Sequence, residues 1–139
     1  MNRRAVSGLL AVSLCAATST VGAVEPEVPH VRVRNIGLHI GGGPNDAVTK
    51  GPFLRQLAAQ FDAFKLCYGQ VETPAAHGTF GVDLLVPKDG GHAELSNPRT
   101  SMKGDAFRDC VVEAFKAVAF DRPKRGTTKL SYALAFDAE

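Results

Sequence analysis

The apolar positions of this chain change period several times, and each change predicts an element. From His30 to Ile40 they alternate: Val31 and Val33, then Ile36, Leu38 and Ile40 after a slip of phase at Asn35. A period of two is that of a half-buried strand, and the slip predicts a bulge within it. Gly41-Gly42-Gly43-Pro44-Asn45-Asp46 follows and reads as a loop. From Phe53 the spacing lengthens to threes and fours, through Leu57, Phe61, Phe64 and Tyr68, which is a continuous apolar stripe on one helix. Gly51-Pro52 opens that helix, because proline at the first helical position forfeits no hydrogen bond. Gly69 ends it, and Cys67 lies at the edge of the stripe.

Alternation returns after Pro74-Ala75-Ala76-His77-Gly78. Phe80, Val82, Leu84 and Val86 interleave with Thr79, Gly81, Asp83 and Leu85. Lys88-Asp89-Gly90-Gly91 then signals a hairpin, since Asp and Gly accept the positive φ that such turns need. The returning strand is predicted over His92 to Asn97. Ser101 to Gly104 introduces a second helix, Asp105 to about Ala119, with Phe107, Cys110, Val111, Ala114 and Val118 on one face and Arg108, Asp109, Glu113 and Lys116 on the other. Asp121 to Gly126 is a polar loop containing Pro123. The final strand spans Thr127 to Phe136, with Leu130, Tyr132, Leu134 and Phe136 on one face. Two helical stripes and several half-buried strands predict an α+β fold: a two-layer sandwich of two helices packed on a small antiparallel sheet.

The first residues fit none of these elements. Arg3 and Arg4 precede a short apolar run, Val6 to Ala17, and Val21-Gly22-Ala23 places small groups where a signal peptidase reads them. Residues 1–23 are therefore expected to be a secretory signal peptide cleaved after Ala23. An uncleaved inner-membrane anchor is the alternative, although the run falls short of the roughly 20 apolar residues of a membrane span. Lipidation at Cys15 is disfavoured by the bulky Leu14 before it. Residues 24–29, rich in Pro and Glu, read as a linker, and 30–139 as a single domain whose first part, 30–46, is the N-terminal strand and Gly-rich loop. Of 16 basic side chains, Arg3 and Arg4 are in the leader, so the remainder balances the 14 acidic ones. No charged block points to nucleic acid or to an anionic membrane surface. The expected location is periplasmic or secreted, with no stable membrane span after cleavage.

The chain has three cysteines, and without Cys15 two remain, Cys67 and Cys110. Catalytic dithiols lie close in sequence at a helix N-terminus, where the helix dipole favours the thiolate. These two are far apart and lie within helices. An even count in an exported chain favours a structural disulfide over a redox pair. The histidines, His30, His39, His77 and His92, show no metal-ligand spacing. Gly41-Gly42-Gly43 lacks the direct strand-to-helix junction of a phosphate loop. Asp46, Asp83, Asp89 and Glu94 form no acid–base pair in sequence, and Ser101 and Ser131 carry no nucleophile signature. No catalytic residue, cofactor or metal ligand is assigned.

One longer pattern runs from about Gly51 to Phe136. Phe64-Lys65-Leu66-Cys67-Tyr68 ends a helix, Gly78 leads a strand, and Asp89-Gly90 turns a hairpin. Phe107-Arg108-Asp109-Cys110-Val111 lies in a helix, and Phe120-Asp121-Arg122-Pro123 precedes a last strand containing Tyr132. This resembles the AgmX/PglI C-terminal domain, a TonB-C-like module of bacterial envelope proteins, through Cys67, Tyr68, Gly78, Gly90, Cys110, Phe120 and Pro123. The resemblance implies a TonB-C-like fold and a non-enzymatic interaction role in the cell envelope, with a protein or peptide as partner. TonB-like domains bind peptides by adding a strand to a sheet edge, which places the expected edge at Ser131, Tyr132, Ala133 and Leu134. The chain departs from the energy transducers in having Tyr132-Ala133 where they have Tyr-Pro, and only a short linker. The alternative functions are a periplasmic thiol-redox protein and a small-ligand or metal binder.

Overall fold

The computed structural model describes residues 28–139. The expected leader, its Cys15 and most of the linker lie outside the described residues. Nine elements follow in order: β1 (Val31–Ile40), α1 (Ala47–Ala58), α2 (Phe61–Tyr68), β2 (His77–Val86), β3 (Gly91–His92), β4 (Glu94–Thr100), α3 (Asp105–Lys116), β5 (Ala119–Phe120) and β6 (Thr128–Ala138). Four strands form an antiparallel sheet in the order β1-β6-β2-β4, and β3 pairs with β5 in a separate two-stranded ribbon.

The strand periodicity explains the layers. Phe80, Val82, Leu84 and Val86 of β2 and Leu130, Tyr132, Leu134 and Phe136 of β6 are all buried on the face that meets the helices. On β1 the register shifts between Asn35 and Gly37, where the phase slip predicted a bulge. That shift keeps Leu38 and Ile40 on the same inner face as Val31 and Val33, and all four are buried. The fold is thus α+β in two layers, with three helices where the apolar stripes predicted two.

The first predicted helix is the main departure. It starts earlier, at Ala47, because the Asp46 carboxylate accepts the Thr49 N–H at 2.7 Å and caps the first turn. Pro52 therefore sits inside α1. Its missing N–H removes one helical bond. The single stripe is also broken at Ala59–Gln60, between α1 and α2. No glycine or proline marks the break. It lets Phe53 turn toward Phe120 on β5, at 6.2 Å between rings, while Phe64 turns toward Phe115 on α3, at 4.7 Å.

The predicted returning strand also divides. Gly91 and His92 leave the hairpin to pair with Phe120 and Ala119, and only from Glu94 does the chain pair with β2. Ala93, between the two segments, is buried. The second helix correspondingly ends at Lys116, because Ala119 is already in β5. The turn before β3 depends on Gly90, whose φ is +79° and whose α-carbon faces the main chain: an added Cβ would stand 2.7 Å from the Phe120 carbonyl oxygen. Both the angle and the space require glycine there.

Cys67, in the last turn of α2, and Cys110, in α3, form a disulfide with Cα atoms 5.5 Å apart. The sequence separation of 43 closes a loop whose entropic stabilisation is about 4 kcal/mol in the chain-entropy model. Beneath the bridge lies an aromatic core. Phe80 stacks on Phe115 at 5.9 Å, and Phe107 meets Phe136 edge-on at 5.4 Å. Phe115 meets Tyr132 edge-on at 5.9 Å.

Candidate functional site

The expected edge strand is not an edge. Ser131, Tyr132, Ala133 and Leu134 lie in β6, which has β1 on one side and β2 on the other. Its main chain is consumed by two ladders, so no partner strand can join it. Tyr132 is 1% exposed and packs against Phe115; its hydroxyl has no hydrogen-bond partner among the described residues, and burial pushes its pKa well above the ordinary value. Ser131 faces the opposite side of the sheet, where Arg99 Nη2 donates to its Oγ at 3.2 Å.

The true edges are β4 and β1, and they differ. On β4, Asn97 and Pro98 stand against Val82 where the register with β2 shifts, and Asn97 has φ +52°. Arg99 folds across Gly81 and donates to the Asn97 carbonyl at 3.0 Å and to Asp83 at 3.4 Å. A proline, a bulge and a strapped arginine blunt this edge.

β1 has a bulge of its own but no proline. Glu139 N–H donates to the His30 carbonyl at 3.0 Å, and Gly41 N–H to the Lys129 carbonyl at 2.8 Å. Alternate residues of an antiparallel strand aim N–H and C=O at the same neighbour. With the observed register, Arg32, Arg34, Gly37 and His39 face β6, and Val33, Leu38 and Ile40 aim their main chain outward. Ile40 confirms the phase. Its N–H donates to Asn45 Oδ1 at 2.6 Å and its C=O accepts from Asn45 Nδ2 at 3.1 Å. The Asn45 carboxamide thus imitates one residue of a pairing strand and closes the edge at its C-terminal end. Val33 and Leu38 remain open to pairing, on a strand whose inner side chains are locked in the core.

The remaining polar candidates are dispersed. His30 precedes β1, His39 lies on β1, His92 on β3, and His77 at the start of β2. His77 Nδ1 shares the Asp137 carboxylate with Arg34, whose Nε donates at 2.7 Å. These contacts, Arg34 first, hold the Asp137 carboxyl below its usual range. Asp83 pairs with Arg99, Asp89 with Arg122, and Asp46 caps α1. The Ser101 Oγ accepts the Thr79 N–H at 3.0 Å. Of the three consecutive glycines, Gly42 alone has positive φ, +70°, and Asn45 closes the loop onto Ile40 and the Gly43 carbonyl. Among the described residues there is no group of three or more potential metal ligands, and no helix is long and apolar enough to cross a membrane.

Sequence reasoning missed Asn45 and Arg99, the residues that close one edge in part and the other firmly. Neither carries a motif; each acts through a register that only the paired strands define. Comparison of the chain with family models, with curated proteins and with solved structures gives no match.

Proposed function

We propose that this chain is an exported, non-enzymatic interaction module of the bacterial cell envelope, which takes an extended segment of a protein or peptide partner along β1. The observation that carries the reading is the outward main chain of Val33 and Leu38 on a rigid edge strand, opposite a β4 edge that is blunted. Strand addition derives its affinity from main-chain hydrogen bonds, so it needs an ordered edge with unpaired N–H and C=O groups more than any special side chain. The disulfide fits an oxidising compartment. Cys67 closes a helix and Cys110 lies within one, so neither has the N-terminal placement that favours a thiolate, and this supports a staple rather than a redox pair. The sequence resemblance to the AgmX/PglI C-terminal domain supports the same role and suggests a TonB-C-like relationship.

The test uses the outward N–H. Val33→Pro removes that donor without removing a bond to β6, because Val33 does not face β6. A photo-crosslinking residue at Ile36, the exposed bulge position, is expected to give a discrete adduct in cells. Val33→Pro should abolish it while circular dichroism stays unchanged. No adduct at Ile36, or one that persists in the folded Val33→Pro protein, would rule out strand addition at β1.

A further inference from the structure

The surface between α1 and the loop that joins β5 to β6 forms a groove of about 500 Å³. Sites of a few hundred Å³, with an apolar lining and a few convergent polar groups, are of the size that holds small ligands or single side chains. One wall is apolar: Ile40, Pro44, Val48, Pro52 and Phe53 line it. Val48 is 82% exposed, an apolar side chain left open to a ligand. The other wall, from the β5–β6 loop, is basic, with Arg122, Lys124 and Arg125, and Arg55 of α1 adds a further cation to the lining.

The charges are unbalanced. Asp121 is the one carboxylate in the lining, and it is turned to Gln56, whose Nε2 donates to it at 2.9 Å. Arg122 pairs with Asp89 at 3.2 Å. Arg55, Lys124 and Arg125 have no carboxylate within ion-pair distance among the described residues. Asp46, outside the lining, is committed to the Thr49 N–H and feels Arg125 only through space. An anion in the groove therefore belongs on the side of Lys124 and Arg125, with its apolar body against Val48 and Pro52.

We propose that this groove binds the free C-terminus of a partner polypeptide whose last residue is apolar. A chain end joins an apolar side chain and a full negative charge on one residue, and the groove sets an apolar wall opposite unpaired cations. An internal acidic residue would bring charge without the apolar body, and an internal apolar residue would bring the reverse. Capture of a terminal carboxylate is a recurrent recognition mode, and charge-assisted bonds from Arg and Lys are the strong ones. The site is separate from the strand-addition reading of β1 and does not depend on it.

The test measures fluorescence anisotropy of the purified protein with a labelled glycine-serine peptide ending in leucine-phenylalanine. The free acid is expected to bind at least about tenfold more tightly than its C-terminal amide. Lys124→Glu combined with Arg125→Glu should abolish that difference, and Val48→Asp should weaken the free acid by a similar factor. Lys116→Glu, on α3 and outside the groove, should change nothing, and Val33→Pro should leave the affinity intact. Equal binding of acid and amide, or no binding of the acid at millimolar concentration, overturns the proposal. So does loss of binding in Val33→Pro with none in the charge-reversed protein, which would assign the peptide to β1. N-acetyl-phenylalanine displacing the probe as tightly as the unlabelled peptide would make the groove a site for small acids. Displacement by vesicles of anionic phospholipid but not by the peptide would make it a membrane contact.

Discussion

The two halves of this molecule are held together by different means. Under α2 and α3 lie the disulfide and a continuous set of aromatic contacts, from Phe64 through Phe115 and Phe80 to Phe107 and Phe136. Around α1, β3 and β5 the tertiary contacts are fewer and more polar. Asp46 caps the helix, Asn45 bonds Ile40, Gln56 exchanges two hydrogen bonds with Asp121, and Phe53 reaches Phe120. Local opening follows the density of buried apolar contacts and cross-links. The stapled half therefore sets the global stability, and the α1 half opens first. The proposed groove adjoins that second half, where adjustment disturbs the core least, whereas β1 packs under both α1 and α2.

The comparison can be broken at its strongest point. Replacing Cys67 and Cys110 together by Ala is expected to lower the unfolding free energy by about 4 kcal/mol, the entropy of the closed loop. Urea denaturation measures it, and a loss under about 1 kcal/mol would mean the aromatic core alone holds the half together. Gly90→Ala strikes the other half. A left-handed φ and contact with the Phe120 main chain should together cost about 2 kcal/mol or more. Hydrogen exchange should show the added opening in β3 and β5 before it appears in α3. Asn45→Ala is expected to cost about 1 kcal/mol through the lost bonds to Ile40, and to make the Ile40 amide exchange faster. Tyr132→Phe works in the opposite direction. It removes a buried hydroxyl without a partner, so the melting temperature should rise, by the equivalent of about 1 kcal/mol at most.

The smallest effect is pH-dependent. The Thr49 N–H bond holds the Asp46 carboxyl below its ordinary value of 3.8. A depressed carboxylate stabilises the native state fully above the unfolded value and loses that contribution as pH falls through the native one. Hydrogen exchange in the first turn of α1 should therefore accelerate below about pH 3.8 before that of α3 does. Asp46→Asn, a competent cap without the titration, should flatten the dependence; if it does not, the cap is not the cause.

Much of this was legible in the sequence, because strands and helices write their periods into it. The alternation of β2 and β6, the stripe of α3, the Asp89-Gly90 turn and the phase slip at Asn35 each placed an element. The pairing of Cys67 with Cys110 followed from reading Cys15 as part of a leader, which left two of the three cysteines, one on each predicted helix. What escaped was fixed between elements. The start of α1 turned on one capping carboxylate, and the conspicuous Pro52 drew the boundary to itself. The break at Ala59–Gln60 has no local mark; it arises because Phe53 and Phe64 have different partners. The central place of β6 is a matter of pairing order, which side-chain period does not encode. Its outward-facing Ala133 and Ala135 were a clue, since an edge strand would favour charges at such positions, as β1 does with Arg32 and Arg34. The basic groove was invisible because Arg55 and Lys124 are distant in sequence and line one groove only when α1 lies beside the β5–β6 loop.

The bulge in β1 has one consequence beyond keeping valines and leucines on the same side. By shifting the phase, it also reverses which main-chain groups point away from the sheet, so the outward set changes from odd to even positions on passing Asn35. An ideal strand laid along this edge finds donors and acceptors in step for only a few residues before they fall out of step. Two copies of the protein thus have no long matching track along which to zip. A ligand meets a short ruler instead: it pairs on one side of the kink, or it carries a matching kink of its own. The irregularity that completes the core also sets the length of chain the edge will accept, and so guards an open strand against indiscriminate assembly.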